Sequence, residues 1–157
     1  MKSTGRPGNE DSSLTPKNTS ADLEFSINCE IPPAIPDGDQ YQAVFVRAEK
    51  SSFRKKQKIY LWFRLITPGD WLDTEFYMAC SEPAKGCKAA SCKYWLAWVL
   101  AAGRRPTRAD RMSTAIFKGK VFRVRMRTVI ITAKQLNRTP AQQYSVVDEL
   151  LEVMVGK

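Results

Sequence analysis

The chain has 157 residues, 43% of them hydrophobic, and a formal net charge of +9. That length suits one domain plus a tail, no apolar run approaches the roughly 18 residues of a membrane span, and the polar start MKSTGRPGNEDSS carries no apolar signal segment. Histidine is absent, which removes the commonest general base and metal ligand, so a soluble, cytoplasmic, non-catalytic protein is expected.

The charge is unevenly spread. Residues 1–40 hold three Lys/Arg against seven Asp/Glu, and residues 41–157 hold 22 against nine. Such a basic excess attracts polyanions, nucleic acid foremost. Generic solubilising charge is the plain alternative.

In chain order, residues 1–38 are rich in Ser, Thr, Asn, Gly, Pro and acids and read as a flexible acidic tail. Residues 39–157 read as the domain. Inside the tail, Leu23–Ile27 is an apolar patch suited to a sheet edge or a partner, and Ile31–Asp39 is a Pro-rich extended lead-in. Tyr41–Glu49 is the first predicted strand. Lys50–Gln57 is a basic loop with one aromatic, Phe53. Lys58–Ile66 is the second strand, and Thr67-Pro68-Gly69-Asp70 suits a type II turn. Trp71–Cys80 is the third strand, followed by a Lys/Gly/Ala/Cys loop over Ser81–Ser91. Cys92–Ala102 reads as a helix closed by Gly103. A basic connector, Arg104–Ala115, leads to the fourth strand at Phe117–Thr132. Ala133–Gln143 is a polar loop, and Tyr144–Val153 is the fifth strand. The order β-β-β-α-β-β is that of the OB-fold, a partly open five-stranded barrel whose sheet face and two loops bind oligonucleotides.

Alternation sharpens this expectation. Closing the second hairpin on Thr67 and Asp70 pairs Leu61 with Phe76, Ile59 with Met78 and Leu65 with Leu72 on a core face. The same register pairs Tyr60 with Tyr77, Trp62 with Glu75 and Arg64 with Asp73 on the outer face, which also carries Lys58. Outward aromatics among charges suit base stacking; alternatively Tyr60, Trp62 and Tyr77 lie under the tail or the helix. Asp73 and Glu75 repel phosphate, and Arg64 is suited to neutralise Asp73.

The fourth strand sets Arg123, Arg125 and Arg127 on one face, between Phe122, Val124, Met126 and Thr128. Three adjacent arginines repel one another unless an anion is present, and guanidinium both grips phosphate and stacks on bases. A solvated basic face is the alternative. Two loops flank the expected groove. One carries Phe53, Arg54, Lys55 and Lys56, and the other carries Lys134 and Arg138.

On the helix, Trp95, Leu96, Val99 and Leu100 have core spacing, with Trp98 less clearly assigned. Cys80, Cys87 and Cys92, with the distant Cys29, are four thiols that could close a structural zinc site, although the spacing is wider than zinc sites usually show. Small buried thiols are the alternative. No Asp/Glu cluster suited to nuclease chemistry is evident.

The strings QYQAVFVRAEKS, FKGKVFRVRMRTV and YSVVDELL make residues 40–153 resemble the single-stranded-DNA-binding-like OB proteins of phages, plasmids and integrative elements. The resemblance implies an OB-fold and a part in DNA replication, recombination or maintenance of a mobile element. The end, ELLEVMVGK, differs from the acidic, Phe-ending tail of the bacterial single-strand binding proteins. Neither recruitment through such a tail nor their tetramer is therefore implied, and homo-oligomerisation stays open. The expected partner is single-stranded DNA or RNA, with replication or recombination proteins as further partners. An OB adaptor docking a replication or conjugation protein is the second reading, and a zinc-stabilised structural protein the third.

Overall fold

The computed structural model describes residues 31–53, 56–81, 92–108 and 111–156, with Phe53 and Lys56 described in their backbone alone. Five strands and one helix follow in the order β1 (Gly38–Phe53), β2 (Lys56–Leu65), β3 (Glu75–Ser81), α1 (Lys93–Ala102), β4 (Val121–Val129) and β5 (Tyr144–Val155). The protein is thus mainly β. Every pairing is antiparallel, and the strands form one sheet in the order β3-β2-β1-β4-β5. Edge strands β3 and β5 touch each other, and α1 touches both. No ladder joins these edges among the described residues. No described helix is long and apolar enough to cross a membrane.

Alternation builds the core. Ile59, Leu61, Phe63 and Leu65 of β2, Phe76, Met78 and Cys80 of β3, and Phe122, Val124 and Met126 of β4 are all buried on one face. Each such large side chain contributes about 1.5–3 kcal/mol by leaving water. On β1, Tyr41, Ala43 and Phe45 point the same way. Strict alternation would send Arg47 inward too, leaving a charge in the core. Instead the β1–β2 register slips between Phe45 and Arg47, so that Arg47 lies opposite Trp62 on the outer face. Val46 is the extra residue of a β-bulge, the device that re-aims a side chain within a strand.

The β2–β3 hairpin corrects the predicted register. The ladder leaves the sheet at Leu65 and Thr74, where Leu65 N donates to Thr74 O (2.9 Å) and Asp73 N to Leu65 O (2.8 Å). Residues 66–73 therefore form a longer connection than a tight turn, and Asp73 adopts φ 68 within it. Leu61 faces Met78, Ile59 faces Cys80, Tyr60 faces Ala79, Trp62 faces Tyr77 and Arg64 faces Glu75. The slip is two residues, an even number, so each face keeps its members while every predicted pair changes. Leu72, predicted to meet Leu65, is 48% exposed in the connection.

Other boundaries shift as well. The predicted loop Lys50–Gln57 is mostly ladder, with Lys50 opposite Ile59 and Phe53 opposite Lys56. β4 begins at Val121, because Thr114–Phe117 is a 3-10 turn in which Ser113 Oγ accepts from Ala115 N. The predicted helix face is only partly buried: Trp95, Val99 and Leu100 pack half-buried against the core, Leu96 is 51% exposed, and Tyr94, Ala97, Trp98 and Ala101 are fully inside. A helix apolar all round carries no periodic signal that selects a face. Polar tips decide it here. Tyr94 Oη donates to Met112 O (2.6 Å), and Trp98 Nε1 donates to Ser113 O (3.1 Å). Gly103 ends the helix at φ 70, as its position implied.

Residues 31–37, which composition groups with the tail, are tied across the ends of β4 and β5. Ile35 is buried, and Ser145 N donates to Pro33 O (3.0 Å). Ser145 Oγ accepts from Ile35 N (2.8 Å) and donates to Ile35 O (3.2 Å), while Asp37 Oδ1 accepts from Thr128 N (2.8 Å). Ser145→Ala leaves the buried Ile35 amide without a side-chain acceptor, at a cost of about 1–3 kcal/mol. The urea midpoint is expected to fall by that free energy divided by the m-value, which stays constant.

Candidate nucleic-acid interface

The outer face of the β1–β2–β3 meander carries a row of half-buried rings. Tyr77 stands at its centre. Its ring lies 5.4 Å from Tyr60, edge-on, 5.2 Å from Trp62 and 6.4 Å from Tyr144 at the start of β5. The row therefore crosses from β2 through β3 to β5. A guanidinium caps it at either end: Arg47 lies 4.5 Å from the Trp62 ring centre, and Arg138, from the β4–β5 connection, 5.3 Å from that of Tyr144. Such cation–π contacts hold a flat cation against a flat ring.

Hydrogen bonds fix this row. Arg47 donates to Glu75 (2.6 Å) and to Glu49 (2.9 Å), and these bonds, the one to Glu75 first, raise its pKa. Burial pushes the Tyr77 hydroxyl up, helped by its bond with Tyr144 and opposed by the charge of Arg138. Tyr77 therefore stays a neutral phenol at physiological pH. Trp62 Nε1, Arg138 Nε and, on β4, Arg123 Nε are buried donors with no hydrogen-bond partner among the described residues. Unsatisfied buried donors are uncommon, and two of these three belong to the ring row.

Of the residues singled out in the sequence, Tyr60, Trp62, Tyr77 and Arg138 come together in this row. Lys58 is exposed on the same face of β2. Arg64 is exposed and lies 3.9 Å from Asp73, as expected, although its ladder partner is Glu75. Lys134 is exposed at the turn of the β4–β5 connection, where Gln135 adopts φ 62. Arg54 and Lys55, and the side chains of Phe53 and Lys56, lie outside the described residues.

The β4 arginines are not an uncompensated row. Arg123 meets Glu152 (3.0 Å), Arg125 meets Glu149 (2.8 Å) and Arg127 meets Asp148 (3.1 Å), all on β5, and Lys93 also reaches Asp148 (3.7 Å). The expectation that only an outside anion would relieve their repulsion is therefore corrected. Cross-strand pairs do so, through carboxylates that the sequence carries in DELLE. These pairs are about half exposed, and exposed pairs hold weakly, by about 0–1 kcal/mol.

Two members of the row escaped sequence reading. For Arg47 a signal existed: the Tyr41, Ala43, Phe45 alternation puts a charge in the core unless the strand bulges. Tyr144 had only its position beside the loop that carries Arg138.

Of the four thiols considered for zinc, Cys29 and Cys87 lie outside the described residues. Cys80 and Cys92 are buried and free. Burial pushes the Cys80 thiol up to about 12, against the pull of Lys93. No three His, Cys, Asp or Glu side chains cluster as metal ligands among the described residues. No protein-family model, curated protein or solved structure matches the chain.

Proposed function

We propose that the chain is an OB-type barrel that binds single-stranded nucleic acid, DNA foremost, without catalysing a reaction. The sheet order β3-β2-β1-β4-β5, with touching edges and a helix against both, fits a partly open OB barrel. The observation that carries the reading is the ring row Tyr60, Trp62, Tyr77 and Tyr144, capped by Arg47 and Arg138. Rings on a strand face stack bases of any sequence, and guanidinium groups beside them hold the intervening phosphates. The β1–β2 ribbon and the β4–β5 connection flank the row and bring Lys58 and Lys134. The role is preference for unpaired strands in replication, recombination or maintenance of a mobile element.

A salt series with a mixed-sequence single-stranded oligomer tests the reading. Log affinity is expected to fall against log salt with a slope of about −0.7 per phosphate contacted, and duplex of the same sequence is expected to bind more weakly. Duplex preference would remove stacking and leave a basic surface.

A protein-docking adaptor is the second reading. What favours it is the acidic share of the outer face, with Glu49, Asp73 and Glu75 beside the rings, and the exposed Ile130, Ile131 and Leu136 in the β4–β5 connection. Absence of any strand binding at low salt would favour it.

A further inference from the structure

Where α1 ends, the chain builds a second basic feature away from the ring row. Gly103 turns the backbone, and Arg104 folds back so that its guanidinium lies 5.4 Å from the Trp98 ring centre. Trp98 is itself anchored: it is 5% exposed, and its Nε1 donates to Ser113 O. Against this fixed wall, Arg104, Thr107, Arg108 and Arg111 enclose an open cavity of about 300 Å³. The turn in which Arg111 N donates to Arg108 O (3.1 Å) keeps the last two together.

The arginines are not needed to complete the helix end. Lys120 Nζ donates to Ala101 O (2.6 Å) and already supplies a cation to the terminal carbonyls. Arg104 and Arg111 are exposed and make no ion pair with a carboxylate among the described residues. Residues 103–120 hold six Lys/Arg against one acid, Asp110, which lies outside the described residues. Three guanidinium forks and a hydroxyl around one concavity match the several acceptor oxygens of a tetrahedral dianion better than they match a single carboxylate.

We propose that the Trp98, Arg104, Thr107, Arg108 and Arg111 cavity is a phosphate-binding site. Arg104 is held against the indole and offers its N–H groups to the anion. Arg108 and Arg111 close the opposite side, and Thr107 donates its hydroxyl. The ligand is a phosphate group, carried by a nucleic-acid end, by a backbone diester or by a free phosphate compound. The site does not rest on the stacking reading, because it shares no residue with the ring row.

The test is an NMR titration of the full chain with inorganic phosphate and then pyrophosphate, at constant ionic strength set with chloride. The Trp98 indole N–H and the Arg104 and Arg111 Nε–H signals are followed. Saturable shifts are expected, with pyrophosphate binding more tightly than phosphate. Arg104→Ala with Arg111→Ala is expected to weaken binding at least tenfold, and the matching double lysine variant to lie between. Both arginines are exposed, so far-UV circular dichroism is expected to stay unaltered. Unsaturable shifts, or an identical curve for the double alanine variant, would overturn the site. Oligothymidine with a 5′-phosphate or a 5′-hydroxyl then separates the sources. A stronger effect of the phosphorylated oligomer on these signals assigns a strand end, equal effects assign the backbone, and no effect from either assigns a free phosphate compound. Trp62→Ala is expected to leave the phosphate titration unchanged, which separates failure of this site from failure of the stacking face.

Discussion

Trp62→Ala is expected to weaken binding of single-stranded DNA by roughly 5- to 150-fold, the equivalent of one stacked base at about 1–3 kcal/mol. Trp62 forms the Arg47 end of the row. It touches Tyr77, it lies opposite that residue in the ladder, and Arg47 lies over it. Its removal frees the Arg47 guanidinium to settle wholly on Glu49 and Glu75, so a phosphate contact weakens together with the stack. Fluorescence anisotropy with a labelled oligomer measures the effect. Leu96→Ala is the control, being an exposed apolar residue on α1 outside the row. Equal affinity of the two variants would show that bases do not stack on this face. The stability cost of Trp62→Ala is expected to be small, since an aromatic pair of this kind is worth about 0.5–1.5 kcal/mol beyond its burial.

Phe63→Ala is expected to destabilise the fold by about 3–5 kcal/mol, a large share of the 5–15 kcal/mol that holds a typical domain. Phe63 is fully buried and sits edge-on to Phe45 of β1 and to Phe122 of β4, both 5.9 Å away. It thus ties three strands together from inside the sheet, with no room for the surrounding rings to collapse into its place. Urea denaturation followed by circular dichroism measures the loss. Phe63→Leu is expected to cost less, because most of the volume remains. A loss below about 1 kcal/mol for alanine would mean that the core relaxes around the gap.

Local patterns carried the fold, and distance set where they failed. Phe122, Val124 and Met126 alternate with arginines, and that alone separates inside from outside on β4 without any partner strand. The hairpin register needed the turn, and nothing in Thr67-Pro68-Gly69-Asp70 announces that Trp71 to Asp73 belong to the connection as well. The face of α1 depended on carbonyls at Met112 and Ser113, which are remote from the helix in sequence and supply no periodic signal. The arginine row looked uncompensated because its counter-charges lie on another strand, some 21 to 29 residues further along the chain. Tyr60, Trp62 and Tyr77 were legible as a face through their parity. Tyr144 was not, because it joins that face through an edge contact with a distant strand, and Arg47 was legible only through the charge that strict alternation would bury.

The slip at Val46 makes β1 a strand of two phases. Upstream of it odd-numbered residues face the core, and downstream even-numbered Ala48 takes that role. A change in length therefore has opposite meanings at different points of one hairpin. Two residues gained or lost together at the tip beyond Phe53 preserve both phases and only lengthen or shorten the ribbon. One residue lost at Val46 merges the phases and leaves Arg47 opposite Trp62, whereas one residue lost just beyond it, at Ala48, puts Glu49 opposite Leu61 on the core face. Among descendants of this chain, indels are accordingly tolerated in even steps at the ribbon tip and singly only at the bulge.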